Sequence, residues 1–71
     1  MDKETKIVLA IKGERAVYVF KREYDDFTEV EFVVGWTVGD PAVGDFISGW
    51  ASGHYFGNLE DALDYLNKSG D

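Results

Sequence analysis

The sequence predicts an α+β domain: a four-stranded antiparallel sheet followed by one C-terminal helix packed on one face, in the order ββββα. Three observations carry that prediction. Apolar residues recur at every second position through successive stretches between Lys6 and Val38, which is the period of a pleated strand. The stretches are separated by Gly- or Asp-rich connections short enough to join neighbours in a meander. From Leu59 onward the period changes to Leu59, Ala62, Leu63 and Leu66, one face of a helix.

The 71 residues predict a single domain, 1–71, with one core. A chain of this size buries only about 60% of the surface its unfolded form exposes. It has no cysteine and one histidine, so neither a disulfide framework nor an evident metal clip supports it. Stability must come from its aromatics, five Phe, four Tyr and two Trp, or from a second copy of the chain.

Taken in order, Met1 to Thr5 is polar and expected to fray, and Lys6 to Lys12 is the first strand. Strict alternation sends Ile7, Leu9 and Ile11 to one side and Val8, Ala10 and Lys12 to the other. Gly13-Glu14 is a two-residue hairpin connection with glycine first, the type II′ preference. Arg15 to Arg22 returns antiparallel. Both of its faces are apolar, with Val17 and Val19 alternating with Ala16, Tyr18 and Phe20. A sheet with one wet face would show polar residues at every second position, so something must cover the second face.

Glu23 to Phe27 is an Asp-rich turn. Thr28 to Val38 has the clearest alternation, with Val30, Phe32, Val34, Trp36 and Val38 expected in the core; Gly35 opposite them signals a bulge, a bend or a close approach. Gly39 to Gly44 holds the chain's one proline and is a loop. Asp45 to Ala51 reads as a weaker fourth strand with Phe46 and Trp50 in phase. Whether it ends at Ser52 and Gly53 or continues through His54, Tyr55 and Phe56 is open from the pattern.

The helix start is marked by Asn58 as N-cap, Asp61 at the third helical position, and the charges of Glu60 and Asp61 on the positive end of the dipole. Lys68 and Gly70 close it. Leu63 is expected to be a principal core contact, while Glu60, Asp61, Asp64 and Asn67 face outward.

The formal charge of −7 is unevenly spread. Through Arg22, six basic residues outnumber three acidic ones; from Glu23 onward, eleven acidic residues face Lys68 alone. Such a field repels phosphates and argues against direct nucleic-acid binding. It suits a protein partner with a basic surface, engaged through Asp25, Asp26, Glu29, Glu31, Glu60, Asp61 and Asp64.

Catalytic machinery is not evident, and the reading is of a protein that is not an enzyme. His54 is the sole imidazole, there is no thiol, and Ser48 and Ser52 do not lie in a nucleophile elbow. Asp25-Asp26 and Asp40 with Asp45 follow no cation-cage spacing, and Gly35, Gly39 and Gly44 do not form a phosphate loop. No catalytic residue, metal ligand or cofactor is assigned. No apolar run is long enough to span a membrane, and the first residues are too charged for a signal peptide; the expectation is a cytoplasmic protein without membrane contact.

Aromatic residues exceed what one helix can cover. Loops could bury the excess, or the second sheet face, with Val8, Tyr18, Phe20 and Val33 beside Ala10, could form a homodimer. Those four are the candidate dimer face.

The stretch Trp50 to Lys68, with G-H-Y-F followed by N-L-E-D-A-L-D-Y-L-N, resembles small acidic accessory proteins of phages and prophages of Gram-positive bacteria, over about a quarter of the chain. The G-D-P-A-V-G loop and the basic first hairpin are not part of the resemblance. It implies a setting in which small acidic proteins occupy the nucleic-acid channel of a host protein, as DNA-mimic and anti-CRISPR proteins do. Two functions therefore stand as expectations: a non-enzymatic protein-binding module acting as an acidic inhibitor, and a structural or assembly protein that forms a homodimer through its second sheet face.

Overall fold

The computed structural model describes residues 3–69, the side chain of Ser69 excepted. Four strands, β1 (Lys3–Lys12), β2 (Arg15–Glu23), β3 (Thr28–Trp36) and β4 (Ala51–Phe56), precede one helix, α1 (Leu59–Ser69). The strands form an antiparallel meander in the order β1-β2-β3-β4. The predicted architecture is the observed one. The glycine stop expected at Gly70 lies outside the described residues.

The first hairpin follows from its turn. Gly13 has φ 62° and Ser52 is the one described non-glycine residue with positive φ, so Glu14 stays on the negative side as a type II′ turn requires. β1 begins at Lys3 rather than Lys6, because Lys3 opposes Glu23 and Glu4 opposes Arg22. Opposite charges directly across an antiparallel pair favour that extension.

Strict alternation fails once in β1. Val8 opposes Tyr18 while Ala10 opposes Val17, so Leu9 is the extra residue of a β-bulge. Beyond it the faces exchange. Ala10 joins Leu9 against the helix-side core, and Ile11, opposite Ala16, moves to the other side.

A core lies on each face of the sheet. On the helix side, Val17 and Val34 pack with Ala62 and Leu66, supported by Leu9, Phe32, Phe56 and Leu63. Leu66 is buried and Leu63 only partly so; the deepest leucine of the helix is thus Leu66, not Leu63. On the opposite side, Val8, Ala16, Tyr18 and Val33 are fully buried beneath Ile47 and Trp50.

That second core explains where the sequence-based fourth strand goes. Residues 45–50 are a strap rather than a sheet strand, and β4 is the continuation through His54 and Phe56. The chain leaves β3 over the first hairpin, where Thr37 donates its N–H to the Glu14 carbonyl at 2.8 Å. It then runs antiparallel along the outer edge of β1. Gly44 N–H donates to the Val8 carbonyl at 2.8 Å, Val8 N–H to that of Asp45 at 3.1 Å, and Ile47 N–H to that of Lys6 at 3.0 Å. From there it crosses the second face to β4. Lys6 fastens the crossing, with Nζ donating to the Ser48 carbonyl at 3.1 Å and lying over the Phe20 and Trp50 rings.

Trp50 is the centre of this lid. Its ring stacks on Tyr18 with centroids 5.0 Å apart and meets Phe20 and Tyr55 edge-on. Such arrangements suit the ring quadrupole. The strap reaches β4 through a second bulge, in which Ser52, at φ 52°, and Gly53 together oppose Gly35. Gly35 is thus both at a bulge and closely approached: a Cβ there would lie 3.1 Å from Trp50 Cδ1 and from the Ala51 carbonyl oxygen.

Candidate protein-binding surface

The strap settles one of the candidate sites. Val8, Tyr18 and Val33 have no accessible surface, and Phe20 is half-buried against Trp50. The chain itself covers this part of the second sheet face, so Val8, Tyr18 and Val33 have no surface to offer a second copy. The sequence carried this cover as an ambiguity, because Phe46 and Trp50 fit a strand pattern as well as a lid. Val30, Trp36 and Val38, expected in the core, are also outside it, and Val30 is exposed near the start of β3. Val38 is 64% exposed, beyond the end of β3, and Trp36 is 47% exposed beneath the Arg15 guanidinium, 5.3 Å from its ring centroid.

The seven carboxylates of the acidic surface fall into separate groups. Glu29 and Glu31 lie on the strap side of β3 and share one cation: Arg22 Nη2 is 2.5 Å from Glu31 Oε1 and 3.5 Å from Glu29 Oε1. Tyr24 O–H also donates to Glu29 at 3.4 Å. These two carboxylates are engaged within the fold and contribute less outward field than their number suggests. Asp25 and Asp26 are exposed in the β2–β3 turn, which is closed by Tyr24 N–H donating to the Phe27 carbonyl at 2.8 Å. Glu60, Asp61 and Asp64 are exposed on α1.

The position of α1 follows from its two ends. Phe56 opposes Phe32, in the middle of β3, and Lys12 Nζ donates to the Asn67 carbonyl at 3.1 Å. The helix thus begins over mid-sheet and ends at the first hairpin, where a cation meets the negative end of its dipole. Glu60 is therefore separated from the β2–β3 turn by on the order of 15 Å of strand. The turn and helix carboxylates are two clusters, not one patch.

Asp61 has a structural task besides its charge. Its N–H donates to Asn58 Oδ1 at 2.8 Å, and Asn58 Nδ2 donates back to Asp61 Oδ2 at 3.2 Å. The first bond is the N-cap expected of Asn58; the return bond joins the two side chains, where a capping box would use the Asn58 backbone N–H. Asp64 instead lines a shallow groove with Phe56, Asp61, Tyr65 and Lys68, about 290 Å³ in volume. Phe56 and Tyr65 meet there at 5.4 Å between centroids, and His54 packs 4.9 Å from Tyr65 on the same side. Sequence reasoning named Asp61 and Asp64 but not Phe56 or Tyr65. Their juxtaposition depends on β4 running through Phe56, which the pattern left open.

His54 and Tyr55, which the pattern left open as strand or connection, are residues of β4 opposite Val34 and Val33. Among the described residues, no group of three or more His, Asp or Glu is arranged to hold a metal ion, and no helix is long and apolar enough to cross a membrane. The chain matches no family model, curated protein or solved structure.

Proposed function

We propose that this chain is a non-enzymatic protein-binding module whose acidic helix face engages a basic groove of a nucleic-acid-handling protein, occupying surface that phosphates would otherwise contact. The supporting observation is the exposed row Glu60, Asp61 and Asp64 beside the Phe56–Tyr65 groove. It combines carboxylates for cationic side chains with aromatic surface for their alkyl stems. The excess of acid over base after Arg22 extends that field and speeds encounter with a positive partner. A phage or prophage accessory inhibitor is the setting that fits this reading.

Affinity capture from source-cell extract tests it. The expected partner is a nucleic-acid-binding protein that is retained at low salt, released by high salt, and displaced by added DNA. The double variant Glu60→Gln/Asp64→Asn should lose that partner while keeping its fold, because neither side chain caps the helix. Retention that is indifferent to salt and to the double variant would overturn the proposal.

A further inference from the structure

The two edges of the sheet are finished differently. The outer edge of β1 is taken by Gly44–Ile47 through three main-chain hydrogen bonds. The outer edge of β4 receives no such cover: among the described residues, no main-chain hydrogen bond joins β4 to any segment other than β3. An uncovered edge directs alternate N–H and C=O groups into solvent, where they can template another strand. β4, Ala-Ser-Gly-His-Tyr-Phe, contains no proline, lysine or acidic residue; its protection is confined to its short length and the bulge at Ser52-Gly53, which leaves His54, Tyr55 and Phe56 as the regular open edge.

What flanks this edge indicates what would pair with it. On the helix side, the residues opposite His54 and Phe56 would project toward the groove of Phe56, Tyr65, Asp61, Asp64 and Lys68, in which two carboxylates outweigh one cation. On the strap side, the residue opposite Tyr55 would meet a ring that is 54% exposed and backed by Trp50 at 6.3 Å. We infer that β4 accepts an extended segment of a partner protein as a fifth strand, a segment in which Arg or Lys alternates with apolar residues. Its basic side chains enter the aromatic and acidic groove, and its apolar ones cover Tyr55. Main-chain pairing supplies affinity and the alternating side chains supply register. Charge complementarity selects this occupant over a second copy, whose own β4 would bring another pair of Asp61 and Asp64 carboxylates against the first.

This inference rests on the acidic-module reading, and the experiment separates the two. The probe is a nine-residue synthetic peptide alternating Arg and Val, compared with the same peptide N-methylated at alternate backbone positions. Binding to isotope-labelled protein is followed by amide NMR. The expected result is perturbation concentrated at Ala51–Phe56, slowed exchange of outward β4 amides, and about tenfold weaker binding of the N-methylated peptide, the effect of a few lost hydrogen bonds. Asp64→Asn should weaken the unmodified peptide and reduce its salt dependence.

If both peptides bind equally and salt-dependently, with shifts centred on α1 or on the β2–β3 turn, the edge inference is overturned and the acidic module survives. If the peptide does not bind at all at low salt, the inference is overturned. If the β4 amides change with protein concentration in the absence of peptide, the occupant is a second copy, and the basic partner strand is again overturned.

Discussion

At the scale of single residues, Gly53 shows how closely the strap and β4 are fitted. A Cβ at this position would press on the Trp50 indole, 2.8 Å from Cδ1, and on Val33 Cγ1 at 2.9 Å. Both neighbours are held by packing on the second core, so they cannot move aside without cost. Gly53→Ala should therefore destabilise by about 1 to 3 kcal/mol, the range of overpacking. Gly57→Ala, with nothing within 4 Å of its Cβ, should stay within about 0.5 kcal/mol of the parent in urea unfolding. Tyr18 gives a second residue-level test. Burial pushes its phenol above the usual value, and its O–H donates to the Trp36 carbonyl at 3.4 Å. The folded state thus holds this proton more tightly than the unfolded chain does. The resulting stability is fully present below the unfolded tyrosine pKa of about 10 and is lost as pH rises through the folded value. Stability measured between neutral pH and pH above about 10 should fall more steeply in the parent than in Tyr18→Phe; equal slopes would contradict the burial argument.

The elements show which parts of the fold were legible and which were not. β2, β3 and α1 were readable because their apolar positions follow one period and their ends carry specific chemistry, the Gly13 turn and the Asn58–Asp61 exchange. The bulge at Leu9 was not readable, because Ile7 to Ile11 is apolar on both sides and a one-residue slip leaves no polar residue out of place. The strap was misassigned for a related reason. Phe46 and Trp50 are in phase for a strand, yet Phe46 is 77% exposed while Trp50 lies on Tyr18, a difference set by tertiary contacts and not by local pattern. The candidate groove suffered in turn, since Phe56 could be placed beside Asp64 and Tyr65 only once β4 was known. The strap also yields a prediction. Trp50→Ala removes the main side chain of the lid, and calorimetry or urea unfolding should show a loss of about 3 to 5 kcal/mol. Because Val8, Tyr18 and Val33 would then be uncovered, the variant should self-associate with increasing concentration, which an equally destabilised helix variant such as Leu66→Ala should not do.

At the scale of the whole molecule, the opposing treatments of apolar and polar surface define the association behaviour. A four-stranded sheet with one helix ordinarily has an apolar face to hide, and pairing with a second copy is the common solution. Here the strap performs that task within 71 residues, while a net charge of −7 keeps like chains apart. β4 retains hydrogen-bonding capacity, but two copies meeting there would also bring their Asp61 and Asp64 carboxylates together. The parent should therefore sediment as a single 8.0 kDa species up to several hundred micromolar at low salt. Raising salt to about 1 M shortens the Debye length to about 3 Å, which removes most of this repulsion without altering the strap. If charge is what leaves β4 unpaired, dimer should begin to appear under those conditions, and Asp64→Asn should shift its onset to lower salt. A dimer already present at low salt would instead mean that the edge pairs despite the field, and the acidic face could not then be what reserves β4 for a basic partner.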